Sequence, residues 1–183
     1  LPGVVETGDA PDQTLDEAVQ QAVLADFDAA LAMLITSRRQ EGTALAAIIS
    51  AQLDQMDERI AAAEACDAAR PGAIKARLKS QIEALLDTSD TFDADRLHQE
   101  AVLIASRIDV REEIDRLKAH VAQARTLLGA KEPVGRKLDF LAQEFVREAN
   151  TLCSKANDIA LTRVGLDLKT VVEQFREQVQ NIE

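Results

Sequence analysis

The chain has no Trp, no Tyr and only five Phe in 183 residues. Aromatic side chains anchor most sandwich and barrel cores, so their scarcity argues against an all-β fold. The two cysteines, Cys66 and Cys153, lie far apart and form no CxxC pair. That excludes a disulfide framework and a structural zinc site, and favours a reducing compartment. The unbroken apolar runs are only a few residues long, against the ~20 that a membrane span needs, so no membrane partner is expected. The opening LPGVVETGDAPDQ has neither a basic segment nor an apolar core and does not read as a secretion signal. It also lacks an initiator Met, so the chain is expected to be processed or to be a piece of something longer. No Gly-rich phosphate loop, nucleophile elbow or HExxH occurs.

What is present is Ala, Leu, Glu, Asp, Gln and Arg, largely helix formers, and the fold class read from them is all-α. The net charge of −11 is unevenly placed. Residues 1–68 hold 13 acids and 3 bases, residues 69–129 hold 10 of each, and residues 130–183 hold 9 acids and 8 bases. The acidity sits in the first third, and the remainder can carry a local basic surface.

Residues 1–13 read as a linker. Thr14-Leu-Asp-Glu17 is a capping box that opens a helix with Leu15, Val19, Phe27, Leu31 and Leu34 on one side. Gly42 is the expected weak point before a second helical run from Leu45 to about Ala69, with Leu53, Met56 and Ile60 in its stripe. Pro71-Gly72 ends that run, a shorter helix covers about 73–87, and Asp87–Asp95 is a turn. One long helix is then expected from about 94 to 128, stopped by Gly129. The final helix spaces Leu168, Val172, Phe175, Val179 and Ile182 by steps of four and three, a heptad seam. The expected architecture is long antiparallel helical hairpins with coiled-coil-like seams that form an oligomer. Its parts are the linker 1–13, a helical middle segment 14–92 and a C-terminal helical domain 93–183.

The stretch Gly135–Lys155 carries the richest pattern. As a helix it lines Leu138, Leu141, Phe145, Ala149 and Leu152 along one side, and Glu144, Arg147, Glu148, Thr151 and Lys155 are read as the opposite, polar side. On the preceding helix Asp109, Glu113, Arg116 and His120 recur at steps of four, three and four. A short connection makes the two helices antiparallel neighbours, which gathers Asp109, Glu113, Glu144 and Glu148 as candidate ligands for Mg²⁺ or Mn²⁺. His120 could add a nitrogen to that site or act as general acid or base, and His98 is read as structural. Arg136, Arg147 and Lys155, with Arg38 and Arg39 farther up the chain, are candidate phosphate-binding cations. No aromatic is interleaved with them to stack bases. The alternative is a solvated face of ordinary ion pairs in a non-enzymatic helical oligomerisation or adaptor module.

GRKLDFLAQEFVREANTLCSK, the tail LDLKTVVEQFREQVQNIE, DVREEIDRLKAHV, the initial LPGVVE and Arg38-Arg39-Gln40-Glu41-Gly42 together resemble the YicC/YloC family of bacterial proteins. The resemblance runs over essentially the whole chain. It implies a metal-dependent endoribonuclease of the bacterial cytoplasm, a ring-like homo-oligomer of six subunits, and an N-terminal α/β domain ahead of LPGVVE. The family motifs match at these positions without assigning their roles, and the reading adopted from the residue types is that the ion, Mn²⁺ or Mg²⁺, is held by Asp109, Glu113, Glu144 and Glu148. Arg136, Arg147 and Lys155 would then neutralise RNA phosphates, with His120, Glu144 and Glu148 catalytic.

Overall fold

A computed structural model describes residues 16–87, 94–130 and 132–182. The linker 1–13, Thr14 of the capping box and most of the turn 87–95 lie outside the described residues. Among the described residues there are six α-helices, one 3₁₀ turn and no strand, as the composition requires. The helices are α1 (Glu17–Ala65), α2 (Pro71–Asp87), α3 (Ala94–Ile108), α4 (Arg111–Leu128), α5 (Gly135–Lys155) and α6 (Ile159–Val179), with the 3₁₀ turn Asp67–Ala69 after α1.

Two expected boundaries differ. α1 runs through Gly42 without a break. A helical Gly costs only ~1 kcal/mol relative to Ala, which the flanking Ala, Leu and Ile outweigh. The long helix expected over 94–128 is instead two, because the chain turns at Asp109 and Val110. Asp109 Oδ1 accepts the backbone N–H of Arg111 at 3.0 Å, so a local side-chain bond competes with helix continuation. Pro71 is the first residue of α2, where its missing N–H costs nothing.

The chain divides into two compact units, residues 1–43 and residues 44–183. In the first, the described part of α1 exposes Val23, Leu24, Phe27, Met33 and Leu34. Among the described helices, α1 is long and apolar enough, by length and composition, to cross a membrane. Scattered charged and polar residues interrupt every apolar run in α1, so run length in the sequence does not reveal it.

The second unit has one core, to which α1 gives Ile49, Leu53, Met56, Ile60 and Ala63. Cross-helix pairs fix direction. Arg125 reaches Asp54 and Asp57 at 2.7 and 2.8 Å, while Lys118 reaches Glu64 at 2.7 Å, so α4 runs antiparallel to α1. Along α4, positions 113, 116 and 120 meet positions 155, 148 and 145 of α5, again antiparallel. On α6, Phe175 lies 5.4 Å from Phe145 at 78° between ring planes, an edge-to-face pair worth ~0.5–1.5 kcal/mol beyond its burial.

The heptad seam of α6 is buried from Leu161 through Gly165, Leu168, Val172 and Phe175 to Val179. Asp158 caps the helix by accepting from the N–H groups of Ala160 and Leu161. Gly165 occupies a core step for a steric reason. A Cβ there would stand 2.9 Å from Cys153 Sγ on α5. Gly135, first in α5, is equally tight: a Cβ would stand 2.9 Å from the Ile182 carbonyl oxygen.

Gly165→Ala therefore weighs an overpacking cost of about 1–3 kcal/mol against the ~0.5–1 kcal/mol that Ala gains over Gly in a helix. In the wild-type background the variant is expected to unfold at lower denaturant. In a Cys153→Ala background the same change is expected to stabilise by about 0.5–1 kcal/mol. Urea titration of the four proteins reads both signs, and stabilisation in both backgrounds would remove the close-approach explanation.

Candidate metal centre on the α4–α5 face

α5 is amphipathic, but its apolar stripe is not purely apolar. Glu148 stands three residues after Phe145 and four before Leu152, and it is buried at 2% exposure. Glu113 stands three residues after Val110 and four before Leu117, and it is buried at 3%. Both carboxylates thus lie on core-facing stripes, where the sequence reading had placed Glu148 on the solvated side. The spacing that reveals this was available: an acid in register with the apolar set is a burial signal.

Buried carboxylates need counter-charges. Glu148 Oε1 accepts from Arg116 Nη1 of α4 at 3.1 Å. Arg116 also binds Glu112, one turn before it on α4. The Glu148 hydrogen bond is the main cause that holds the Arg116 guanidinium above its usual pKa. Glu113 Oε1 accepts from Lys155 Nζ at 2.8 Å, and the same ammonium donates to the Asp109 carbonyl at 3.0 Å. Glu113 Oε2 is buried without a hydrogen-bond partner.

Three side chains converge beside this pair. His120 of α4, Glu144 and Glu148 of α5 each offer one ligand atom, and these atoms all lie within 4.8 Å of one another. His120 and Glu144 are half-buried. The imidazole is set edge-on to Phe145, with centroids 5.8 Å apart at 81°, and Phe145 is itself held by Phe175. No hydrogen bond to His120 is present among the described residues, which leaves its ring nitrogens open to a ligand. The donor set fits a divalent cation. Bonds of ~2.1 Å place donors on one ion up to ~4.2 Å apart, within a small side-chain adjustment of the observed spacing. An imidazole with two carboxylates suits Mn²⁺ better than Mg²⁺, which prefers oxygen donors.

The other candidate residues fall elsewhere. Asp109 lies between α3 and α4, and its carboxylate accepts from Arg111 Nε at 3.1 Å and Nη2 at 2.7 Å. These bonds to Arg111 hold its pKa below the ordinary value, against the opposing effect of partial burial. Neither Asp109 nor Glu113 joins the three converging ligands. Lys155 is committed to Glu113. Arg147 is exposed beside Glu148 and makes no ion pair among the described residues, whereas Arg136 sits at the far, N-terminal end of α5. Arg38 and Arg39 belong to the other compact unit.

A family model described as endoribonuclease YicC-like, C-terminal, matches residues 62–183, which contain the whole constellation. The chain belongs to the YicC-like endoribonuclease family. It is similar to a probable endoribonuclease YicC of Haemophilus influenzae, 40% identical over 185 residues, covering 100% of this chain and 61% of that protein. It is also similar to a probable endoribonuclease YicC of Clostridioides difficile, 34% identical over 179 residues, covering 98% of this chain and 60% of that protein. The chain thus spans about three-fifths of the length of these YicC relatives.

The lowered Asp109 pKa gives a pH signature. A depressed carboxylate stabilises the fold above its unfolded value, near 3.8, and that contribution is lost as pH falls through the lower folded value. Asp109→Asn is expected to unfold more easily than wild type near neutrality, with the gap closing as pH falls from about 5 towards 3. A pH series of urea titrations measures it; a gap that is constant with pH would separate Asp109 from Arg111.

Proposed function

We propose that this chain carries the metal centre of an endoribonuclease that cleaves RNA phosphodiester bonds with Mn²⁺, or Mg²⁺ at lower affinity. The observation that carries the reading is the convergence of His120, Glu144 and Glu148 ligand atoms within 4.8 Å, on the segment that matches the endoribonuclease family. A divalent cation held by these three would supply Lewis-acid stabilisation of charge developing on the scissile phosphate.

The remaining work falls to the chain's own groups. Arg116 holds one oxygen of Glu148 and so orients that carboxylate. Phe145 fixes the plane of the His120 ring. With one ring nitrogen turned to the ion, His120 keeps the other as an N–H that donates a hydrogen bond to a phosphate oxygen. Arg147, exposed one residue before Glu148, offers its guanidinium to a neighbouring phosphate. The acidic total of −11 does not oppose this, since residues 130–183 are nearly neutral.

The same proposal takes the active form as a homo-oligomer, six subunits by the family resemblance. The exposed apolar side chains of Val23, Leu24, Phe27 and Met33 support self-association of the first unit. A non-enzymatic assembly module would use that stretch too, so the nuclease reading stands or falls on the α4–α5 centre.

Glu144 makes no hydrogen bond among the described residues, so Glu144→Gln is expected to leave the melting temperature within about 1 °C of wild type. In the full-length natural protein it is expected to lower Mn²⁺-dependent cleavage of single-stranded RNA by about 100-fold or more. Undiminished cleavage by the folded variant would take Glu144 out of the mechanism.

A further inference from the structure

A second feature of unit 44–183 is not used by the metal centre. A cleft of about 590 Å³ opens between α2, α3 and the C-terminal end of α5. Its size is in the range of small-ligand sites. Three cations line it, Arg77 from α2, Arg107 from α3 and Lys155 from α5, against a single acid, Glu100. That is a net positive cleft in a chain with 32 acids and 21 bases.

The cations are not equivalent. Lys155 is spent on Glu113 and the Asp109 carbonyl. Arg77 is half-buried and Arg107 exposed, and neither makes an ion pair with Glu100 or with any other acid among the described residues. A half-buried guanidinium left unpaired amid an excess of carboxylates is the unexpected feature. Arg107 alone has an ordinary explanation as a cation in the last turn of α3, where the helix dipole favours it. Arg77 is in the body of α2 and has no such explanation. Ile104 and Ile108 add apolar surface to the lining, and Asn157 adds an amide. Two guanidinium groups without an ion pair among the described residues, in a cleft also lined by isoleucines, suit a phosphate with a nucleoside attached: forked N–H donors for the phosphate oxygens, and an apolar or guanidinium plane for the base.

Lys155 lines this cleft and lies seven residues from Glu148 on the same helix. At 1.5 Å per residue that is ~10.5 Å along the axis. A strand crossing from the cleft to the metal centre therefore needs only a few nucleotides.

We propose that the α2–α3–α5 cleft seats a phosphodiester of single-stranded RNA a few nucleotides from the scissile bond, held by Arg77 and Arg107. The proposal rests on the nuclease reading for the identity of the strand, while its test does not depend on cleavage. Arg77 and Arg107 are positioning groups for substrate.

The test is fluorescence anisotropy with a labelled single-stranded 12-nucleotide RNA and the full-length natural protein in EDTA, across a salt series. Arg77→Gln/Arg107→Gln is expected to weaken binding about 10- to 100-fold and to make the log K against log salt slope shallower by about 0.7, since the one phosphate the two share contributes ~0.7 on a single strand. Arg77→Lys/Arg107→Lys is expected to keep the wild-type salt slope, and circular dichroism verifies that both variants are folded. Unchanged affinity and slope in the Gln variant would overturn the proposal, even if Mn²⁺-dependent cleavage is observed. Conversely, a wild-type protein that binds RNA through these two residues but never cleaves it would leave the cleft standing and remove the nuclease reading. Adenosine monophosphate is the competing probe. Displacement of the RNA by the mononucleotide at a concentration near the RNA's own Kd would make the cleft a mononucleotide site and overturn the strand assignment.

Discussion

The structure depends on how two carboxylates are buried between α4 and α5. Glu148 and Glu113 face the core at 2% and 3% exposure. An unpaired buried charge costs several kcal/mol, so the helices are compatible only with a register that supplies Arg116 and Lys155 opposite them. That register is antiparallel and carries His120 alongside Phe145. It sets Glu144, one turn before Glu148 on α5, beside the same imidazole. The candidate metal centre is therefore a consequence of the charge pairing that aligns the two helices. α6 then packs on α5 through Phe175 against the same Phe145 and through the space left at Gly165 for Cys153.

The division of labour among the charged groups follows from their burial. Lys155 and Arg116 spend hydrogen bonds on acids inside the protein, while Arg147, Arg77 and Arg107 have none to spend them on among the described residues. A candidate phosphate-binding cation is thus recognised by an unpaired guanidinium, and less by its position in a basic cluster of sequence. Lys155, chosen from sequence as a phosphate ligand, has become mainly the counter-charge of Glu113. Oxygens of Asp109 and Glu113, chosen as metal ligands, are likewise held by Arg111 and Lys155.

The helices were legible where one periodicity dominates. α5 and α6 bury Leu138, Leu141, Phe145, Leu152, Leu168, Val172 and Phe175, as steps of three and four require. The turn at Asp109 was not, because it contains neither Gly nor Pro and its cause is a single side-chain bond to Arg111. Asp109-Val-Arg-Glu112 does carry the Asp-x-x-Glu form of a helix start, the signal that would have placed it. The helix through Gly42 shows the converse, a breaker too weak to act amid strong helix formers. In the site, the pairing of His120 with Glu144 and Glu148 followed from antiparallel neighbours. The burial of Glu148 was missed because residue type was allowed to override its register with Leu141 and Leu152.

The account's central claim is that His120, Glu144 and Glu148 form one ion site. Anomalous diffraction from crystals of the protein grown with Mn²⁺ tests it most directly. The account predicts a manganese peak about 2.0–2.3 Å from a His120 ring nitrogen and from one oxygen each of Glu144 and Glu148. A peak held instead by Asp109 and Glu113, or no peak among the α4 and α5 carboxylates at saturating Mn²⁺, would contradict it.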